Sequence, residues 1–285
     1  DPAYKILNYL GHVFGYQDTF FVNAICGFLV LFFLLKSALK LEKYWLVLLV
    51  CFPYYLLVVS MNYNRQAVAI SISLWAFCRL LESRFIQFTF LIILAALFHK
   101  TAIALLFFLP ILISTKFQYS KFFNIFYIGI SLILISIIIY YSSLQDTNIY
   151  LQGNENINSK GFFVRWIYHL IPLLLFYKYN YFFKKQSYYP IIRYFCILVL
   201  FMLPLGIIFS TLADRFNLYL IFFDLFVICT IFSNFSRTNK IFLLFTLIAF
   251  YTIQMYLWFF HGVWSVKAWI PYQNYISNYL SNWVF

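Results

Sequence analysis

Long apolar runs separated by short polar junctions dominate this chain. Ten can be drawn, at about 20–39, 44–60, 66–81, 85–98, 101–115, 121–142, 162–183, 190–209, 212–233 and 240–260. Most are close to the roughly 20 residues that a helix needs to cross a bilayer. The runs 66–81, 85–98 and 101–115 are short for a full crossing. From 85 to 113 the pattern admits either one long tilted helix or two short helices meeting at His99-Lys100.

Charge favours the second arrangement. With a break at His99-Lys100, 13 of the 20 Lys and Arg residues fall on one set of junctions and 7 on the other. The richer side is assigned to the cytoplasm, because cytoplasmic loops carry the excess of Lys and Arg. A single helix over 85–113 would invert every later loop and scramble this bias. A break there is tolerable where protein, not lipid, surrounds the backbone. The stretch 1–19, the 61–66 junction, His99-Lys100, the polar loop 143–161, Asp214-Arg215 and the tail 261–285 then share the non-cytoplasmic face. The loop is rich in Asn, Gln, Ser and Gly, as a loop should be. The tail mixes Trp and Tyr with Asn and Ser, which suits a segment lying along the interface.

Composition agrees with a membrane class. Hydrophobic residues make up 65% and charged residues 10% of the chain, against about half and a quarter in a soluble domain. Mean hydropathy is +0.86. The expectation is an all-α, polytopic transmembrane bundle of about ten segments, forming one domain over 1–285. The opening Asp1-Pro2 carries no Met, so a preceding helix is expected to be missing. The net charge of +12 is spread over short loops, so topology and anionic membrane lipid account for it better than nucleic acid does. Cys26, Cys51, Cys78, Cys196 and Cys229 lie in apolar segments without CxxC spacing and read as buried hydrophobes.

The candidate chemistry sits where polar residues interrupt apolar runs, since a charge at membrane depth is costly and marks a site by default. Arg65 follows Asn64 and opens an apolar helix; a guanidinium there and helix N-terminal amides can face one anion together. The alternative is an interfacial Arg that snorkels to water. His99 is either a proton acceptor or hydrogen-bond donor, or part of a polar break that satisfies freed backbone groups; Lys100 beside it suits phosphate. Arg165 is an anion contact or a plain interfacial cation, and His169, one turn on, reads as a packed core histidine. Asp214 and Arg215 are adjacent, so they point about 100° apart and need not pair. Arg215 and Tyr219 share a face. Asp224 lies about 15 Å deeper and is expected to be structural, kept neutral or hydrogen-bonded to a Tyr, or else a proton relay. No nucleotide, metal or other cofactor motif occurs, so none is expected.

Several short motifs together resemble the EpsG family, which belongs with the Wzy-type O-antigen and capsule polymerases. They are Asp1-Pro2-Ala3-Tyr4 with Leu7-Asn8, Asn64-Arg65-Gln66-Ala67-Val68-Ala69, Leu94-Ala95-Ala96-Leu97-Phe98-His99-Lys100-Thr101-Ala102, Gly161 with Arg165, Asp214-Arg215-Phe216 with Tyr219, and Trp269-Ile270-Pro271-Tyr272. Each is loose; their order is specific. The resemblance implies a GT-C-like polymerase in a bacterial cytoplasmic membrane. It would move a growing glycan from undecaprenyl diphosphate to a lipid-linked repeat unit, with a flippase and a chain-length regulator as partners. It marks these positions as motif residues without assigning their roles. On that footing His99, Asp214 and Arg215 are the candidate catalytic residues. Arg65, Lys100, Arg165, Tyr219 and Asn64 are candidates for diphosphate or glycan binding. The rival readings are a lipid-linked saccharide flippase or transporter and a membrane acyltransferase.

Overall fold

The computed structural model describes residues 1–16, 19–41, 43–109, 129, 159, 161–184, 186 and 188–268. Among these residues regular structure is helical and there is no strand. The order is α1 (Pro2–Val13), α2 (Phe20–Lys40), α3 (Tyr44–Asn62), α4 (Asn64–Leu81) and α5 (Phe85–Phe98), followed by a 3₁₀ stretch, Lys100–Phe107. After the intervening residues come α6 (Phe162–Ile167), α7 (Leu170–Lys178), α8 (Tyr181–Lys184), α9 (Tyr189–Ile208), α10 (Ser210–Asn234), α11 (Arg237–His261) and α12 (Val263–Ala268).

Five of these helices, α2, α3, α9, α10 and α11, are long and apolar enough to cross a membrane. They correspond to the expected runs 20–39, 44–60, 190–209, 212–233 and 240–260. The expectation of about ten segments is therefore met only in part. The run 66–81 forms α4 and the run 85–98 forms α5, but neither reaches the length and apolarity of a crossing. The run 162–183 is not one helix but three short ones. The run 121–142 apart from residue 129, most of the loop 143–161, the second half of 101–115 and most of the tail 261–285 lie outside the described residues. The start of the chain, read as a junction, forms the amphipathic helix α1, packed on α5 and α2.

Helix α4 explains why low apolarity need not mean a poor membrane helix. It sits between α2 and α5, with 13 of its 18 residues buried. Its polar residues therefore meet protein. Ser73 Oγ donates to the Ala69 carbonyl at 2.7 Å and Ser71 Oγ to that of Val68 at 2.9 Å. The Tyr55 hydroxyl donates to the Ala67 carbonyl at 2.8 Å. Such bonds remove the cost of an unpaired polar group in an apolar interior. An aromatic cluster joins α4 to α9 and α10: Phe77 stacks on Phe222 with centroids 4.5 Å apart, and Phe195 packs edge-on to Phe77 at 5.2 Å. By contrast α11 leaves most of its apolar surface outward, as a lipid-facing helix does.

Charge separates to the two ends of α4. At its C-terminal end Glu82 pairs with Lys40, with Arg79 at 2.8 Å and with Arg84 at 3.3 Å. Arg79 also stacks on Trp75, 3.9 Å from its centroid, with Lys36 4.6 Å from the same ring. Arg65 begins the helix at the opposite end, about 21 Å away at 1.5 Å per residue.

Candidate functional site

The chain breaks where the polar pair interrupts the apolar pattern. Helix α5 ends at Phe98, and His99 is extended, with φ −152° and ψ 111°. The 3₁₀ stretch then starts at Lys100. Two short elements thus meet at His99-Lys100, as the charge pattern predicts. The break exposes a backbone donor, and the Asp1 carboxylate takes it: Lys100 N–H donates to Asp1 Oδ1 at 3.2 Å.

That carboxylate is the centre of a charged cluster. Arg65 Nη1 lies 3.0 Å from Asp1 Oδ2, and His99 Nδ1 lies 3.6 Å from the same oxygen. Both ring nitrogens of His99 are buried without a hydrogen-bond partner. Burial, then the charges of Arg215, Arg65 and Lys100, push the His99 pKa down to about 3. Its imidazole is therefore neutral at pH 7, and in the free protein the same burial and cations keep it a weak base.

Arg215 reaches the cluster from α10. Its Nη1 donates to Gln66 Oε1 at 2.8 Å, while Gln66 Nε2 donates to the Arg215 carbonyl at 2.9 Å. The guanidinium also lies over the Tyr63 ring, 4.9 Å from its centroid. One turn on, the Tyr219 hydroxyl lies 3.2 Å from Thr101 Oγ1. Asn64 Nδ2 donates to Asn23 Oδ1 at 2.5 Å. Arg65, Asn64, His99, Lys100, Arg215 and Tyr219 thus gather at one end of α4.

Arg165 and Asp214 stand apart as a pair. Arg165 Nε and Nη2 donate to the two Asp214 oxygens at 2.5 and 2.7 Å, and Ser159 Oγ donates to Oδ2 at 3.0 Å. This two-point geometry is the strong form of an ion pair. It leaves Asp214 committed to Arg165, and the neighbouring Arg215 to Gln66, as their separate faces on α10 require. Gly161 makes room for it, because a Cβ there would lie 2.5 Å from Arg165 Nη1. Gly206 similarly admits the Phe162 ring, so α6 can approach α9.

Asp224 departs from expectation in its partner. It bonds not to a tyrosine but to His169, whose Nδ1 lies 2.7 and 2.9 Å from its oxygens. Both residues are buried. A small cavity above this pair is lined by Tyr54, Tyr168, Asn217, Gln254 and Arg165. Tyr54 and Tyr55 come from a π-helical stretch of α3, Phe52–Val59, beginning beside Pro53; such stretches recur at functional sites.

Sequence reasoning missed Asp1 as the counter-ion, Gln66 as the partner of Arg215, and Ser159. Asp1 and Gln66 stood inside the quoted motifs, and Gln66 carried a signal of its own, an amide inside an apolar helix. Among the described residues no three His, Cys, Asp or Glu side chains are placed to hold a metal ion. Searches among curated proteins and among solved structures return no match. The EpsG family model matches residues 1–274, a span that takes in every motif and every residue of these clusters. With its apolar crossing helices and that match over nearly its whole length, this chain is a membrane protein of the EpsG family.

Proposed function

We propose that this protein is a polysaccharide polymerase of the EpsG family. It transfers a growing glycan from undecaprenyl diphosphate to the non-reducing end of a lipid-linked repeat unit, outside the bacterial cytoplasmic membrane. Membership in the family supports a role in polysaccharide biosynthesis. A GT-C-like bundle of about ten membrane segments belongs to the same reading.

One observation carries it: Arg65 Nη1 and His99 Nδ1 lie 3.0 and 3.6 Å from one oxygen of the Asp1 carboxylate, and the Lys100 N–H donates to the other. A diphosphate needs cations and an attacking hydroxyl needs a base. The bound diphosphate offsets the cations that depress His99 and raises its basicity; in the reaction the acceptor O–H proton then passes to His99, and the oxygen bonds to the donor's anomeric carbon. The bond from that carbon to the diphosphate breaks, and its electron pair leaves with the diphosphate. Arg65 and Arg215 hold the leaving charge where it develops. Asp1 occupies the Arg65 guanidinium in the free protein, so the diphosphate displaces it or shares the arginine. The energy comes from the leaving group, so no nucleotide is required. Asn64 hydrogen-bonds a sugar hydroxyl at the rim, and Tyr219 does so from its buried position beside Thr101.

The test is a deletion strain of the source bacterium, with lipid-linked and surface glycan resolved on a size ladder. The ladder is lost and single repeats accumulate on carrier at the outer face. Wild type restores it; Arg65→Ala and Arg215→Ala, inserted at normal levels, do not. Full-length chains in both variants would refute the clamp. A flippase remains a second reading because of the buried Asp224–His169 pair; it predicts repeats trapped at the cytoplasmic face.

A further inference from the structure

The cavity beside Asp224 is lined by two amide side chains whose oxygens are unpartnered. Asn217 and Gln254 are 2% and 4% exposed. Yet Asn217 Oδ1 and Gln254 Oε1, both buried, find no donor. Both residues line the cavity, together with Tyr54, Tyr55, Tyr168, Tyr251, His169, Asp224 and Arg165. An unpaired acceptor in an apolar interior is costly, so two such residues lining one space call for a ligand that donates hydrogen bonds.

Size identifies the ligand. The cavity is about 40 Å³. A water needs at least roughly 10–15 Å³. The space takes a few waters and is smaller than a sugar ring. Its lining brings together Asp224 with His169 and, one turn before His169, Arg165. Arg165 pairs with Asp214, and both of those side chains are 20% exposed.

We propose that this cavity holds a short chain of ordered waters joining the buried His169–Asp224 pair to the Arg165–Asp214 pair, through which the buried pair exchanges its proton with solvent. The other titratable groups close to Asp224 are Cys51, from α3, and Tyr251, from α11. Tyr168 and Tyr55 stand on the cavity wall, and Cys229 lies close to Cys51. Arg165 is the one cation among the lining residues. The proton crosses to a water, and a proton from solvent replaces it, so no other reactant is consumed. This inference stands apart from the polymerase reading, since it concerns exchange and not turnover.

The experiment is proton NMR on the full chain, labelled with ¹⁵N in its histidines and backbone and held in lipid nanodiscs. The His169 ring N–H is assigned by its loss in His169→Gln, and the protein is then moved into D₂O. The ring proton should exchange at least tenfold faster than the backbone amides of Phe222 to Val227, which exchange only when α10 opens. Asn217→Leu fills the cavity and should slow the ring proton toward the amide rate; Gln254→Leu serves if that variant does not fold. A wild-type ring proton as slow as those amides overturns the proposal. So does equally fast exchange in the folded cavity-filled variant.

Discussion

Arg215 and Gln66 hold each other at two points, side chain to side chain at 2.8 Å and side chain to backbone at 2.9 Å. The contact fixes α10 against α4 and aims the guanidinium toward the His99 cluster. Gln66 is 1% exposed, so water cannot replace it without rearrangement. Gln66→Ala should cut elongation roughly 100-fold, the scale of a 1 Å misplacement of a working group, while the protein still inserts. Gln66→Glu keeps the acceptor for Arg215 and should fall between the two. Wild-type chain lengths from Gln66→Ala would show that Arg215 needs no such hold.

The Arg165–Asp214 pair predicts an asymmetry. Removing one partner strands a half-buried charge and costs about 3 kcal/mol, the low end for buried pairs because each side chain keeps 20% exposure. Arg165→Ala and Asp214→Ala should each lower the unfolding temperature in detergent. Arg165→Met with Asp214→Leu should recover most of the loss. A double variant less stable than either single would contradict this account.

His99 sets an acid limit. Its folded pKa is held down to about 3, by burial first and then by Arg215, Arg65 and Lys100. The unfolded value is about 6.5. Below pH 6.5 the unfolded chain takes up a proton that the folded site refuses, so stability falls with pH. The His99 contribution is intact above pH 6.5 and declines by about 1.4 kcal/mol per unit toward pH 3. His99→Asn should remove that slope in unfolding measured from pH 7 to pH 4. An unchanged slope would mean that His99 protonates normally in the folded protein.

The two charged ends of α4 should lie on opposite sides of the membrane. All five cysteines are buried, so single added thiols can be read against a low background. Met61 is 49% exposed, and the Arg84 side chain 54%. Met61→Cys should react with an impermeant maleimide from outside, and Arg84→Cys only after permeabilisation. Labelling of both from one side would overturn the topology.

Much of this could be read along the chain because it depends on near neighbours. Five crossing helices follow from apolar length, and the His99-Lys100 break follows from two polar residues between apolar runs. The different faces of Asp214 and Arg215 follow from helical geometry. Helix α4 was harder, because protein on its flanks lets it keep Gln, Ser and Arg that lipid would not accept. The region 162–183 reads as one span along the sequence because its apolar content hides the breaks near His169 and Tyr179.

Sequence by itself determined the membrane class, the family motifs and the set of residues available for chemistry. Tertiary structure alone decided the partners. Asp1 meets Arg65 and Lys100, Gln66 meets Arg215 across 149 positions, and His169, not a tyrosine, meets Asp224. The physical reason is that a buried polar group requires a partner, but any of several groups could serve it chemically. Only the packing of one helix on another brings a particular one within 3 Å.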